Sequence, residues 1–175
     1  MAVVILDAGH GGSDFGATFE GRMEKDDNLA LTLAVGDILA QNGVDVLFTR
    51  TTDIYETPTA KALEGNASGA DYFISIHRNS SPVPGQYTGI ESLVYNRSSR
   101  AGDIARNINR NLEAIGFADQ GVNEAKNLAV LRRTKMPAVL VEAGFLNNER
   151  DNALFDAEFD QIANAIAQGI LESIQ

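Results

Sequence analysis

Short apolar runs alternate with stretches of helical periodicity along most of this 175-residue chain. That alternation restricts the fold more than any other feature. Residues 3–6, 44–48, 72–76, 90–95, 127–131 and 138–141 read as strands, being short, rich in β-branched or aromatic side chains and bounded by polar or glycine-containing sequence. Between them lie helix patterns. Residues 24–42 place Leu29, Leu33, Ile38 and Leu39 at helical spacing and stop at Asn42-Gly43. Pro58 suits the first position of a second helix that runs to Ser68, although Gly65 and Asn66 interrupt it. Ser98 or Ser99 caps a third, with Ile104, Ala105, Ile108, Leu112 and Ile115 on one face and Gly116 as its stop. Residues 158–174 close the chain as a helix, and 78–88, with two prolines and a glycine, read as a loop. Strands and helices in this order predict one α/β domain: a twisted, mostly parallel sheet of about six strands, flanked by helices on both faces.

Three of the strand runs end in chemistry-bearing residues. The first leads through Asp7 into a glycine-rich loop that holds His10; the third ends at His77; the last ends at Glu142. His10 and His77 are the only two histidines. In open α/β sheets ligands bind beyond the carboxyl ends of the strands, so these three distant segments point to one site. There is no cysteine, so any metal must be held by His, Asp and Glu. Two histidines and one acid are the ligand set of hydrolytic zinc sites. The acid is open on this reading: Asp7, Asp14, Glu20 and Glu24 all lie near His10 in sequence. Glu24 heads a helix and is placed to point back, whereas Asp7 is placed to brace the far nitrogen of His10. The carboxylate of Glu142 follows an apolar run and must be offset by a charge or a metal.

Other classes are excluded or disfavoured. With 14 basic and 24 acidic residues the formal charge is −10, which opposes affinity for a phosphate backbone, so nucleic acid is not an expected partner. No apolar run approaches the roughly 20 residues of a membrane span. No signal peptide is recognisable, so either release without a signal or a place within a longer chain is expected. The loop lacks the GK[ST] ending of a phosphate-binding loop, and no serine sits in a GxSxG elbow.

The stretches ILDAGHGGSDFGA (5–17), MEKDDNLALTLA (23–34), GVDVLFTRTTD (43–53), GADYFISIHRNS (69–80) and LAVLRRTKMPAVLVEAGFLNN (128–148), with the final helix, together resemble the zinc-dependent N-acetylmuramoyl-L-alanine amidases of bacterial autolysins, sporulation amidases and phage endolysins. The resemblance implies one zinc ion held by His10, Glu24 and His77, with Glu142 as the catalytic carboxylate. It implies hydrolysis of the amide between N-acetylmuramic acid and L-alanine in peptidoglycan, hence action on the bacterial cell wall. A wall-binding domain outside this chain is compatible with it. The alternative is a peptidoglycan-binding module on the same fold that does not cut; the presence of all four residues speaks against it. The sequence departs from the family pattern after His77, where Arg78-Asn79-Ser80 stands for the usual small residues, and at Lys61, where an arginine is usual. Asn79 is the first candidate for a substrate contact, ahead of Arg78 and Arg132.

Overall fold

The computed structural model describes residues 1–174. Strand β1 (Val3–Ala8) is followed by a small ribbon, β2 (Thr18–Phe19) and β3 (Arg22–Met23), and by helix α1 (Glu24–Gln41). Next come β4 (Asp45–Phe48), α2 (Pro58–Ala67), β5 (Tyr72–Asn79) and β6 (Ile90–Val94). The remainder is α3 (Arg100–Glu113), β7 (Asp119–Glu124), α4 (Ala129–Arg132), β8 (Ala138–Phe145), α5 (Glu149–Ala157) and α6 (Phe159–Ile174). Six strands form one sheet in the order β4-β1-β5-β8-β6-β7. Every neighbouring pair is parallel except β6 with β8. The expected α/β architecture is therefore present.

Residue alternation along the central strands sends side chains into two cores. On one face Val4, Leu6, Ile74, Ile76, Val139 and Val141 pack with the apolar sides of α1, α3 and α6. On the other, Ile5, Phe73, Ala138 and Leu140 meet Val130 and Leu131 of α4. A fully buried Ile or Leu contributes about 1.5–3 kcal/mol, so both layers are held firmly to the sheet. The glycine that weakens α2 has a packing reason. A Cβ at Gly65 would lie 2.8 Å from the Phe73 ring, so the helix rests on the sheet at a distance that only glycine permits. Thr57 caps α2 through a bond from the Ala60 N–H, with Pro58 in the first turn as the sequence predicts.

Two expectations are corrected. Residues 127–131 are not a strand: Leu128 precedes the single turn α4, whose Val130 and Leu131 point into the second core. An apolar cluster this short fits either period, and its packing chose the helical one. The sixth strand is instead β7, at the sheet edge. Its sequence DQGVNE has one strongly apolar side chain, Val122, directed at the core, so it gives almost no periodic signal and is recruited by backbone pairing with β6. The helix α5 also lies outside the expected elements; Asn148 caps it by accepting from the Asp151 N–H. Strands β5 and β8 run further than expected, so that His77 and Glu142 lie within them and face each other in register.

Candidate metal centre and active site

The loop after β1 sets the first imidazole. His10 adopts a left-handed backbone conformation, φ 63°, followed by Gly11 and Gly12, also at positive φ. A short bridge between Gly11 and Asp14 closes the loop. It brings Asp14 Oδ2 to 2.8 Å from His10 Nδ1. This leaves His10 Nε2 turned inward, 3.2 Å from Glu24 Oε2. Asp14, rather than Asp7, is therefore the residue that braces His10.

Glu24 is the first residue of α1 and is 4% exposed. The negative charge suits the helix N-terminus, and the carboxylate is held from several sides. Oε2 accepts from the Ala17 N–H at 2.9 Å; Oε1 accepts from Asn28 Nδ2 at 3.2 Å and from the Arg78 N–H at 3.1 Å. His77 Nδ1 lies 3.0 Å from the same Oε1. Burial opposes the charged form of Glu24, but the two imidazoles and their hydrogen bonds hold its carboxyl far below the usual carboxylate range. For His10, burial works against protonation, yet the bond and charge of Glu24, joined by Asp14, raise it to about 9.

One ligand atom from each of His10, Glu24 and His77 lies within 4.8 Å of the other two. The two imidazoles stand edge to face, 5.0 Å between centroids. Tetrahedral bonds of about 2 Å require donors roughly 3–4 Å apart, and the carboxylate-to-imidazole separations of 3.0 and 3.2 Å meet that requirement. The donor set of two imidazoles and one carboxylate can thus hold a divalent metal. The packing around it leaves no slack: a Cβ on Gly16 would lie 2.5 Å from Glu24 Oε2 and 2.7 Å from the His10 ring.

Glu142 is the partner of His77 across β5 and β8, so the two side chains leave the same face of the sheet. Among the described residues no arginine forms an ion pair with it. Its Oε2 is buried without a hydrogen-bond partner among the described residues, a cost of about 1–3 kcal/mol when nothing else occupies the site. Burial pushes its carboxyl up to about 7; Glu24 and Glu91 add to the rise and His77 works against it. A cleft of about 440 Å³ opens beside His10 and His77, lined also by Leu128, Val130 and Leu140 and by Thr59 and Asn127.

Sequence reasoning missed Arg50, Thr49 and Ser75, and it gave Asp7 and Lys61 other roles than the supporting ones they have. Asp7 is 1% exposed and accepts from Thr49 Oγ1 at 2.7 Å and Ser75 Oγ at 2.6 Å, with Lys61 Nζ at 2.9 Å. Lys61 also donates to the Ala8 carbonyl, as does Arg50, whose guanidinium reaches the Gly9 and Lys25 carbonyls as well. The base of the His10 loop is thereby fixed by two buried cations acting on its carbonyls. Polar residues so close to apolar runs were the available signal. Arg78 is not a substrate contact: it is 2% exposed, bonded to the Ala143 carbonyl and to Asp27, with its guanidinium 4.1 Å from the Phe155 ring centroid. Asn79 pairs with Phe145 after a bulge, and its Oδ1 accepts from the Ser80 N–H.

The family model for N-acetylmuramoyl-L-alanine amidase matches residues 4–172. The chain is similar to a sporulation-specific N-acetylmuramoyl-L-alanine amidase of Bacillus subtilis, 38% identical over 97% of this chain and 67% of the relative. It is also similar to an endolysin of Bacillus phage SPP1, 36% identical over 97% of this chain and 65% of that protein. The chain thus spans about two thirds of the length of these curated relatives. Among solved structures, the catalytic domain of CwlV, an N-acetylmuramoyl-L-alanine amidase from Bacillus (Paenibacillus) polymyxa, superposes with a TM-score of 0.90 at 37% identity, covering 98% of this chain and 97% of that one. The amidase AmiC2 of Nostoc punctiforme gives 0.92 at 32% identity, with 99% and 97% covered. A family model matched over nearly the whole chain, relatives of this identity and a shared fold lead to one conclusion: the chain belongs to the N-acetylmuramoyl-L-alanine amidase family.

Proposed function

We propose that this chain hydrolyses the amide bond between N-acetylmuramic acid and L-alanine in bacterial peptidoglycan, with one zinc ion held by His10, Glu24 and His77 and with Glu142 as general base and acid. The observation that carries the reading is the convergence of His10, Glu24 and His77 within 4.8 Å, with Glu142 next to His77 in register. When bound, zinc supplies Lewis acidity, polarising a carbonyl and lowering the pKa of water. The chain's own residues do the rest. Asp14 fixes the His10 ring so that Nε2 faces the centre, and the Arg78 N–H and Asn28 orient Glu24. Glu142, with a carboxyl near 7, is suited to take a proton from the attacking water and pass it to the leaving amine. An amide nitrogen leaves poorly unless it is protonated, so a single recycled carboxylate serves both steps. Asn79 stands as a contact for a sugar or peptide amide through its Nδ2. The site of action on this reading is the bacterial cell wall.

The test is digestion of purified peptidoglycan, read by mass spectrometry of the fragments, together with metal content. Glu142→Ala is expected to keep one zinc per chain and to lose turnover by about 10²–10⁴-fold, the range for a proton-transfer group. His10→Ala and His77→Ala are expected to lose both zinc and activity. Undiminished digestion by Glu142→Ala overturns its assignment, and fragments cut at any other bond overturn the reaction.

A further inference from the structure

The row of side chains that contains His77 and Glu142 does not end there. Glu91 of β6 is the register partner of Glu142 on its other side. Partners in adjacent strands share a face of the sheet, with Cβ atoms about 4.5–5.5 Å apart. His77, Glu142 and Glu91 therefore line up across three strands, pointing the same way. Two carboxylates opposite each other are unfavourable in a sheet, so Glu91 is not placed there by strand stability. It is also held in position: Asn123 Nδ2, from the edge strand β7, donates to Glu91 Oε2 at 2.9 Å. Asn123 in turn is tied by a second bond from Nδ2 to the Gln120 carbonyl. Glu91 is half-buried, and among the described residues Oε1 has no partner.

We propose that Glu91, pinned by Asn123, is a specificity-determining residue that faces the amine half of the substrate. It would accept a hydrogen bond from an N–H there and reject a carboxylate at the same place. The inference rests on Glu142 returning the proton to the leaving amine. The scissile nitrogen then lies over Glu142, with the carbonyl side toward the His77 and Glu24 cluster, so the peptide continuing from that nitrogen extends toward Glu91. An ionised carboxylate in a partly buried position favours N–H donors. A second carboxylate within a few ångströms of it is repelled, worth on the order of tenfold in binding at an effective dielectric between that of the surface and water.

The test compares two soluble muramoyl dipeptides that differ only in the second residue of the leaving peptide, one bearing a neutral carboxamide and the other a free carboxylate. The parent protein, loaded with zinc, is expected to favour the carboxamide by about tenfold in kcat/KM. Glu91→Gln keeps the size and the bond to Asn123 and removes the charge. It is expected to bring the two substrates within about twofold, mainly through KM. Asn123→Ala, which frees Glu91, should narrow the preference partway. Zinc content and melting temperature establish that each variant is folded. A preference that is the same in parent and Glu91→Gln overturns the inference. So does an equal kcat loss on both substrates with their KM ratio unchanged, which would place Glu91 behind Glu142 rather than against the peptide. A parent that cuts neither substrate while zinc is bound overturns instead the amidase reading on which the inference stands.

Discussion

A Cβ placed on Gly9 would fall 2.2–2.5 Å from three atoms of the His77 ring. The ring cannot give way without leaving the cluster it forms with His10 and Glu24, so the missing side chain is a requirement of that arrangement. Gly9→Ala is expected to fold, because the loop lies at the rim of the sheet, but to hold zinc at least tenfold more weakly, measured by competition with a fluorescent chelator. Asp7 lies under the same loop and gives a different prediction. Burial pushes its carboxyl up, but the charges of Lys61 and His77 and the bond from Ser75 outweigh this and hold it below its ordinary value. A folded pKa below the unfolded one means the stabilisation is complete above about pH 4. It is lost as pH falls through the folded value. Asp7→Asn is expected to cost about 3–5 kcal/mol at neutral pH, since it strands the Lys61 cation. Its stability should also fall less steeply than the parent's between pH 4 and 2. Urea denaturation at several pH values measures both.

Between elements, the main device is a charged layer that joins the end of β5 to α1 and α5. Arg78 reaches Asp27 on α1 at 2.9 Å, Arg22 reaches the same carboxylate at 2.7 Å, and both guanidinium groups stand over Phe155 of α5. Arg22 extends the layer to Asp156. Burial alone would push the Arg78 guanidinium toward neutrality; Asp27 counters it. Arg78→Ala leaves Asp27 facing Phe155 with only Arg22, and is expected to cost about 3–5 kcal/mol. Arg78→Lys should recover part of that but not the forked contact to the Ala143 carbonyl and Asp27. Thermal melting of the three proteins ranks them. Because the Arg78 N–H to Glu24 survives both changes, zinc content should stay near one per chain in each. This layer is built on the residue after His77, and it leaves His10, Glu24 and His77 within reach of one another.

For the molecule as a whole, a metal held by His10, Glu24 and His77 would join segments that are far apart in the chain. His10 follows β1, Glu24 opens α1 and His77 lies in β5, so an ion held by all three stabilises the folded state only. At free zinc of about 1,000 times Kd the gain is about 4 kcal/mol. Chelation is expected to lower the melting temperature of the parent by several degrees and to stop peptidoglycan digestion, with both recovered on adding zinc. The melting temperature of His10→Ala should not respond to either treatment. An equal chelator effect on that variant would show that the ion sits elsewhere.

The strong apolar periods made most of this legible before any coordinates. Strands β1, β4, β5 and β8 and helices α1, α3 and α6 are cores or core-facing stripes, and their sequence carries the burial that forms them. His10, His77 and Glu142 stood out as polar residues at the ends of buried strands, whereas four acids near His10 were open and only the family resemblance singled out Glu24, the one that the fold brings to His10 and His77. Tertiary structure decided what local sequence does not encode. It chose β7 over residues 127–131 as the sixth strand, since edge pairing is a backbone property that needs no apolar pattern. It chose Asp14 over Asp7 as the brace for His10, since loop closure and not sequence proximity sets which acid meets the ring. It also set Glu91 beside Glu142, because the register of β6 against β8 follows from packing two sheet faces at once, and nothing in either segment alone specifies its neighbour.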